Sequence, residues 1–138
     1  MILAIVNSTI LLSLSSLHFY WAFGGQWGFT AALPTNEEGK RVLNPKWYDS
    51  LIVGLGLLVF AVYLLIYVGL IPFQLPKWLF DYGIWVISAI FILRAIGDFK
   101  YIGVFKKVRN TKFARRDTLL YSPLCMTIAG ICIILLTK

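Results

Sequence analysis

Leu51-Ile-Val-Gly-Leu-Gly-Leu-Leu-Val-Phe-Ala-Val-Tyr-Leu-Leu-Ile-Tyr-Val-Gly-Leu-Ile71 runs for twenty-one residues without a charge. A hydrocarbon core about 30 Å thick takes roughly 20 apolar residues in a helix. Three further runs reach that length: Ile2–Phe23, Trp78–Gly97 and Thr118–Thr137. Exposed strands cannot satisfy their backbone in lipid, so each run reads as a helix. Composition agrees. Of 138 residues, 59% are hydrophobic and 14% charged, with mean hydropathy +0.80. A soluble domain is about 45–50% apolar and about 25% charged. Too little polar surface remains to coat a water-soluble unit of this size, and the same figures exclude disorder. The expected fold is all-α: one integral membrane domain over residues 1–138, a four-transmembrane-helix bundle.

Four spans put both termini on one side. Of 13 Lys and Arg, ten fall in two loops, 24–49 and 98–117, whereas the other side offers Lys77 and Lys138. The positive-inside rule therefore places both loops in the cytoplasm and both termini outside. Trp21, Trp27, Trp47 and Trp78 lie near span ends, where amphipathic rings settle. The net charge of +7 is matched by anionic lipid rather than nucleic acid, because it crowds beside the membrane. The first run is a poor signal peptide, since the first Lys is Lys40. Cys125 and Cys132, seven residues apart on one helix, are about 10.5 Å apart, too far to bridge.

The spans differ in detail. In the first, Asn7, Ser8, Ser15 and His18 share one face, while Thr9, Ser13, Ser16 and Tyr20 share the opposite one. Polar stripes on two sides predict a helix surrounded by the others. The short turn Pro72–Pro76 predicts that spans two and three are antiparallel neighbours. Arg94 near the end of span three must be paired or snorkelled, with Asp98 four residues on as one partner. Ser122-Pro123 inside span four predicts a kinked or broken helix. Before it, Phe99, Ile102, Phe105 and Val108 recur every three residues among Lys100, Lys106, Lys107 and Arg109. This reads as a short amphipathic interfacial segment whose four basic residues meet lipid headgroups.

His18, Asp49, Arg94, Asp98, Asp117, Tyr121 and Ser122 all fall at the cytoplasmic face of these spans. Ionisable groups converging from several helices mark a functional site. A lone histidine without companion ligands argues against a metal, and Gly24, Gly25 and Gly28 follow no strand, so no dinucleotide or phosphate loop is present. No cofactor is expected. Three stretches, His18-Phe-Tyr-Trp-Ala-Phe-Gly-Gly-Gln-Trp-Gly28, Arg94-Ala-Ile-Gly-Asp98-Phe and Phe113-Ala-Arg-Arg-Asp117-Thr-Leu-Leu-Tyr121-Ser-Pro-Leu-Cys125, resemble a small bacterial membrane family catalogued as domain of unknown function 3995. That resemblance implies a four-helix membrane protein and brings no activity with it.

The leading expectation is a cytoplasm-facing pocket lined by His18, Arg94, Asp98, Asp117 and Tyr121. Arg94 would hold a lipid or another amphipathic anion, since a guanidinium fork suits phosphate or carboxylate. One alternative is a small interaction protein, with a homo-oligomer or another membrane protein as partner, in which the cluster only locks helices. Others are a lipid-modifying enzyme and a small transporter reaching Asp81.

Overall fold

A computed structural model describes residues 1–137, and Lys138 lies outside them. Four helices are long and apolar enough to cross a membrane: α1 (Ile2–Ala22), α2 (Trp47–Tyr67), α3 (Lys77–Ile96) and α4 (Lys112–Leu136). All four also carry exposed apolar side chains, among them Ile5, Ile52, Leu93 and Met126. Helices apolar all round their circumference belong in a membrane or a large core. No strand forms among the described residues; one isolated antiparallel bridge joins Thr35 to Arg41. The end carrying segments 23–46 and 97–111 is termed here the loop end, and the end carrying the 68–76 turn the turn end.

Helix boundaries follow local chemistry. α2 begins at Trp47, four residues before the expected start, because Asp49 accepts the Lys46 backbone N–H at 2.7 Å. It ends at Tyr67, where Gly69 adopts a φ of +78° and the following amides fold back onto Leu65 and Ile66 carbonyls. α4 begins at Lys112 rather than near Thr118, capped by Thr111 Oγ1, which accepts the Ala114 N–H at 3.0 Å.

The expected break at Pro123 takes the form of a π turn over Asp117–Tyr121 within a continuous helix. The Ser122 N–H reaches back five residues to the Asp117 carbonyl. A proline ring clashes with the carbonyl four residues before it. A wider turn moves that carbonyl aside and also absorbs the missing N–H.

α1 packs along α2 and α3 along α4. Ser8 Oγ donates to the Ala61 carbonyl (3.0 Å) and Ser15 Oγ to the Gly54 carbonyl (2.7 Å). Partners one heptad apart on both helices keep an antiparallel register. Gly54 lets His18 and Phe19 approach, since a Cβ there would stand 3.0 Å from the Phe19 ring. Asn7 Nδ2 ties the two pairs together through the Ile128 carbonyl (3.2 Å) and Cys132 Sγ (3.3 Å). Leu11, Leu64, Ile84, Ile87 and Ile128 fill the shared interior.

Two expectations of packing change. The short turn does make α2 and α3 touch, chiefly where Tyr67 stacks on Phe80 and Tyr63 Oη donates to the Phe80 carbonyl (3.1 Å). Their main partners are nevertheless α1 and α4. α1 is not surrounded either: Thr9, Ser13 and Ser16 are exposed. Each hydroxyl donates to the carbonyl four residues back, at 2.8, 2.9 and 2.9 Å. A hydroxyl satisfied on its own backbone needs no covering helix, so this second polar stripe does not require α1 to be surrounded.

Candidate functional site

Arg94 sits in the last turn of α3, and Gly97 ends that helix with a φ of +84°. The chain then doubles back so closely that a Cβ on Gly97 would strike the Ile102 carbonyl and one on Gly103 the Ile96 carbonyl. Asp98 holds this return. Its Oδ1 accepts the N–H groups of Lys100, Tyr101 and Ile102 at 2.9, 2.8 and 2.9 Å. Partial burial raises the Asp98 pKa, but these backbone donors outweigh it and hold the carboxyl below its usual range. Asp98 therefore stabilises the loop and is not the partner of Arg94.

That partner is Asp117, on the π turn. Asp117 is fully buried. Its Oδ1 accepts Arg94 Nη2 at 3.1 Å, and its Oδ2 accepts the Gly103 N–H at 2.7 Å and Lys106 Nζ at 3.2 Å. Lys106 is only 2% exposed and spends its remaining donors on the Gly103 carbonyl (3.0 Å) and Thr118 Oγ1 (2.6 Å). Two cations thus share one carboxylate, leaving the cluster with a net positive charge. Arg94 keeps 34% of its side chain accessible, whereas its Nη1 is buried and has no hydrogen-bond partner among the described residues.

Of the four basic residues expected to meet lipid headgroups, Lys106 is placed otherwise. Residues 97–111 form no helix; Gly97 and Gly103, at positive φ, fold them into a compact loop. Lys106 points into the protein and is unavailable to lipid. Lys100, Lys107 and Arg109 remain exposed, beside outward-facing Phe99 and Phe105. Ile102 and Val108 are half-buried instead.

Tyr121, at the end of the π turn, donates its hydroxyl to the Ala31 carbonyl at 3.0 Å. It ties the first loop to α4. His18 is separate from the charged cluster: its Nδ1 donates to the Leu14 carbonyl at 2.8 Å, and its ring meets Trp21 edge-on. Trp21 in turn donates to the Trp27 carbonyl (2.8 Å) and packs on Phe29. Of the five residues expected to line one pocket, Arg94 and Asp117 come together, and Tyr121 lies near them. Asp98 serves the loop and His18 the aromatic corner.

A cavity of about 440 Å³ opens between the two loop segments. Leu33, Pro34 and Leu43 wall it from the first loop, and Ile102 and Phe113 from the other side. Among the described residues, Arg94 and Asp49 are its charged lining residues. Neither the loop wall nor the burial of Lys106 was signalled by periodicity, because both depend on irregular backbone. A second cavity, about 570 Å³, lies at the same end between Glu37, Asn110, Lys112 and Arg116. No group of three His, Cys, Asp or Glu able to hold a metal occurs among the described residues.

No curated protein and no solved structure matches the chain. Residues 11–132 match the model of the family described as "Protein of unknown function (DUF3995)", and the chain belongs to that family.

Proposed function

We propose that the protein binds an amphipathic anion, a lipid of the inner leaflet above all, in the cavity beside Arg94. The observation that carries this reading is a partly exposed guanidinium, its buried Nη1 still without a hydrogen-bond partner among the described residues, beside a largely apolar slot. A planar donor fork accepts phosphate or carboxylate oxygens in pairs. Asp117 holds Arg94 in place, while Lys106 takes part of that carboxylate's charge and leaves Arg94 incompletely neutralised. The apolar walls then receive the hydrocarbon portion next to the headgroup. Under the positive-inside orientation this end faces the cytoplasm of a bacterial inner membrane. Lys100, Lys107 and Arg109 hold it against the anionic leaflet, each contributing about 1 kcal/mol, and Phe99 and Phe105 insert at the interface.

Native mass spectrometry of the gently purified protein tests the reading against Arg94→Ala. In that variant Asp117 keeps Lys106, so no lone charge is left buried. A lipid-mass adduct on the wild type that is lost from the variant is expected. An equal adduct on both, or none on either, contradicts it.

A further inference from the structure

We infer that the Arg94 cavity selects a zwitterionic headgroup, one bearing an ammonium beside its phosphate, over a purely anionic one. The inference rests on the anion site proposed above and adds the identity of its second charge. Two charged side chains line the cavity, and they are of opposite sign. Asp49 is exposed; its Oδ2 is engaged by the Lys46 N–H at 2.7 Å, and no ion-pair or hydrogen-bond partner for Oδ1 occurs among the described residues, so that oxygen is free to meet a ligand. Both side chains rise from helix ends, Asp49 from the first turn of α2 and Arg94 from the last turn of α3. Both side chains therefore stand on helical backbone rather than on the loop segments that wall the cavity.

Each charge has a local justification, because an acid suits a helix N-terminus and a base a C-terminus. That does not explain why both face one cavity. A ligand with negative charge alone would meet Arg94 favourably and Asp49 unfavourably. A phosphate linked to an ammonium satisfies both. The same chemistry is offered by an aminophospholipid such as phosphatidylethanolamine and by soluble glycerophosphoethanolamine. The apolar walls favour the lipid.

The test uses full-length, delipidated protein in detergent. It is titrated with phosphatidylethanolamine and with phosphatidylglycerol of identical chains, and bound lipid is read by native mass spectrometry. The wild type is expected to prefer phosphatidylethanolamine about fivefold, the size of one partly exposed ion pair. Asp49→Asn retains the acceptor for the Lys46 N–H and should abolish the preference, weakening phosphatidylethanolamine binding and strengthening phosphatidylglycerol binding. Arg94→Ala should weaken both lipids. Equal affinities in the wild type, or a preference that survives Asp49→Asn, overturn the zwitterion inference and leave the anion site standing. Undiminished binding of both lipids by Arg94→Ala overturns the anion site and the inference with it. Displacement of bound phosphatidylethanolamine by glycerophosphoethanolamine would make the free solute a ligand of the same chemistry. Failure to displace would assign the site to the lipid.

Discussion

Asp117 is the residue on which the loop end turns. A carboxylate with no exposure, facing Arg94 and Lys106, has lost its hydration and recovers it only through these partners and the Gly103 N–H. Removing one member of a buried ion pair leaves the other uncompensated, at about 3–5 kcal/mol. Asp117→Asn is therefore expected to lower unfolding stability by about that amount, measured by denaturant titration in detergent. Loss of less than about 1 kcal/mol would show that the cluster is hydrated in solution. Asp98 behaves differently, as a surface carboxylate serving three amides. Its folded pKa lies below the ordinary value of 3.8. Its contribution is thus complete above that value and declines as pH falls through the folded pKa. The melting difference between wild type and Asp98→Asn should be constant from neutral pH to about 5 and shrink below about 4. A difference that instead grew on acidification would contradict the assignment.

At the scale of elements, the return of residues 97–104 against the end of α3 is the tightest feature. Backbone crosses backbone there, and both glycines take positive φ. Gly103→Ala combines strain of about 1–3 kcal/mol with a direct clash against the Ile96 carbonyl. It should destabilise the protein strongly in a thermal melt. Gly130, in α4, has open space where a Cβ would go. Gly130→Ala should be neutral or stabilising by up to about 1 kcal/mol. Tyr121→Phe removes one hydrogen bond, about 0.5–1.5 kcal/mol. It should speed proteolysis within 24–46 before the bundle itself melts. Existence and approximate placement of the helices were legible from the sequence, since lipid demands long apolar runs. Their ends moved by several residues because caps at Asp49 and Thr111, not hydropathy, decide them. The three-residue repeat from Phe99 to Val108 suggested an amphipathic interfacial segment with all four basic residues outward, but repeat spacing carries no information about a glycine crossing. That is why Lys106 looked like its neighbours Lys100 and Lys107 and proved to be a core residue.

The whole molecule is two antiparallel helix pairs joined through Asn7, with most ionisable groups at one end. The proposed orientation, with the loop end in the cytoplasm, rests on that asymmetry. Single cysteines replacing Lys40 and Lys107, in a background where Cys125 and Cys132 are serine, are predicted to react with impermeant thiol reagents only after cells are opened. One replacing Lys77 should react in intact cells. The reverse pattern would invert the topology and remove the inner leaflet as the ligand's source. The polar constellation was partly legible at this scale. Arg94 and Asp117 were expected together, but the first loop that walls the cavity lies some fifty residues or more from Arg94 in sequence and has no periodic signature. His18 shared the depth of the cluster without sharing its contacts, since position along a helix does not fix which neighbour a side chain meets. The central claim is that a lipid headgroup occupies the slot beside Arg94. It is tested most directly by installing a photo-crosslinking side chain at Leu43, in the cavity wall, and irradiating membranes from cells. The account predicts a phospholipid-mass crosslink at position 43 that disappears when Arg94→Ala is added. No crosslink, or one indifferent to Arg94→Ala, would contradict it.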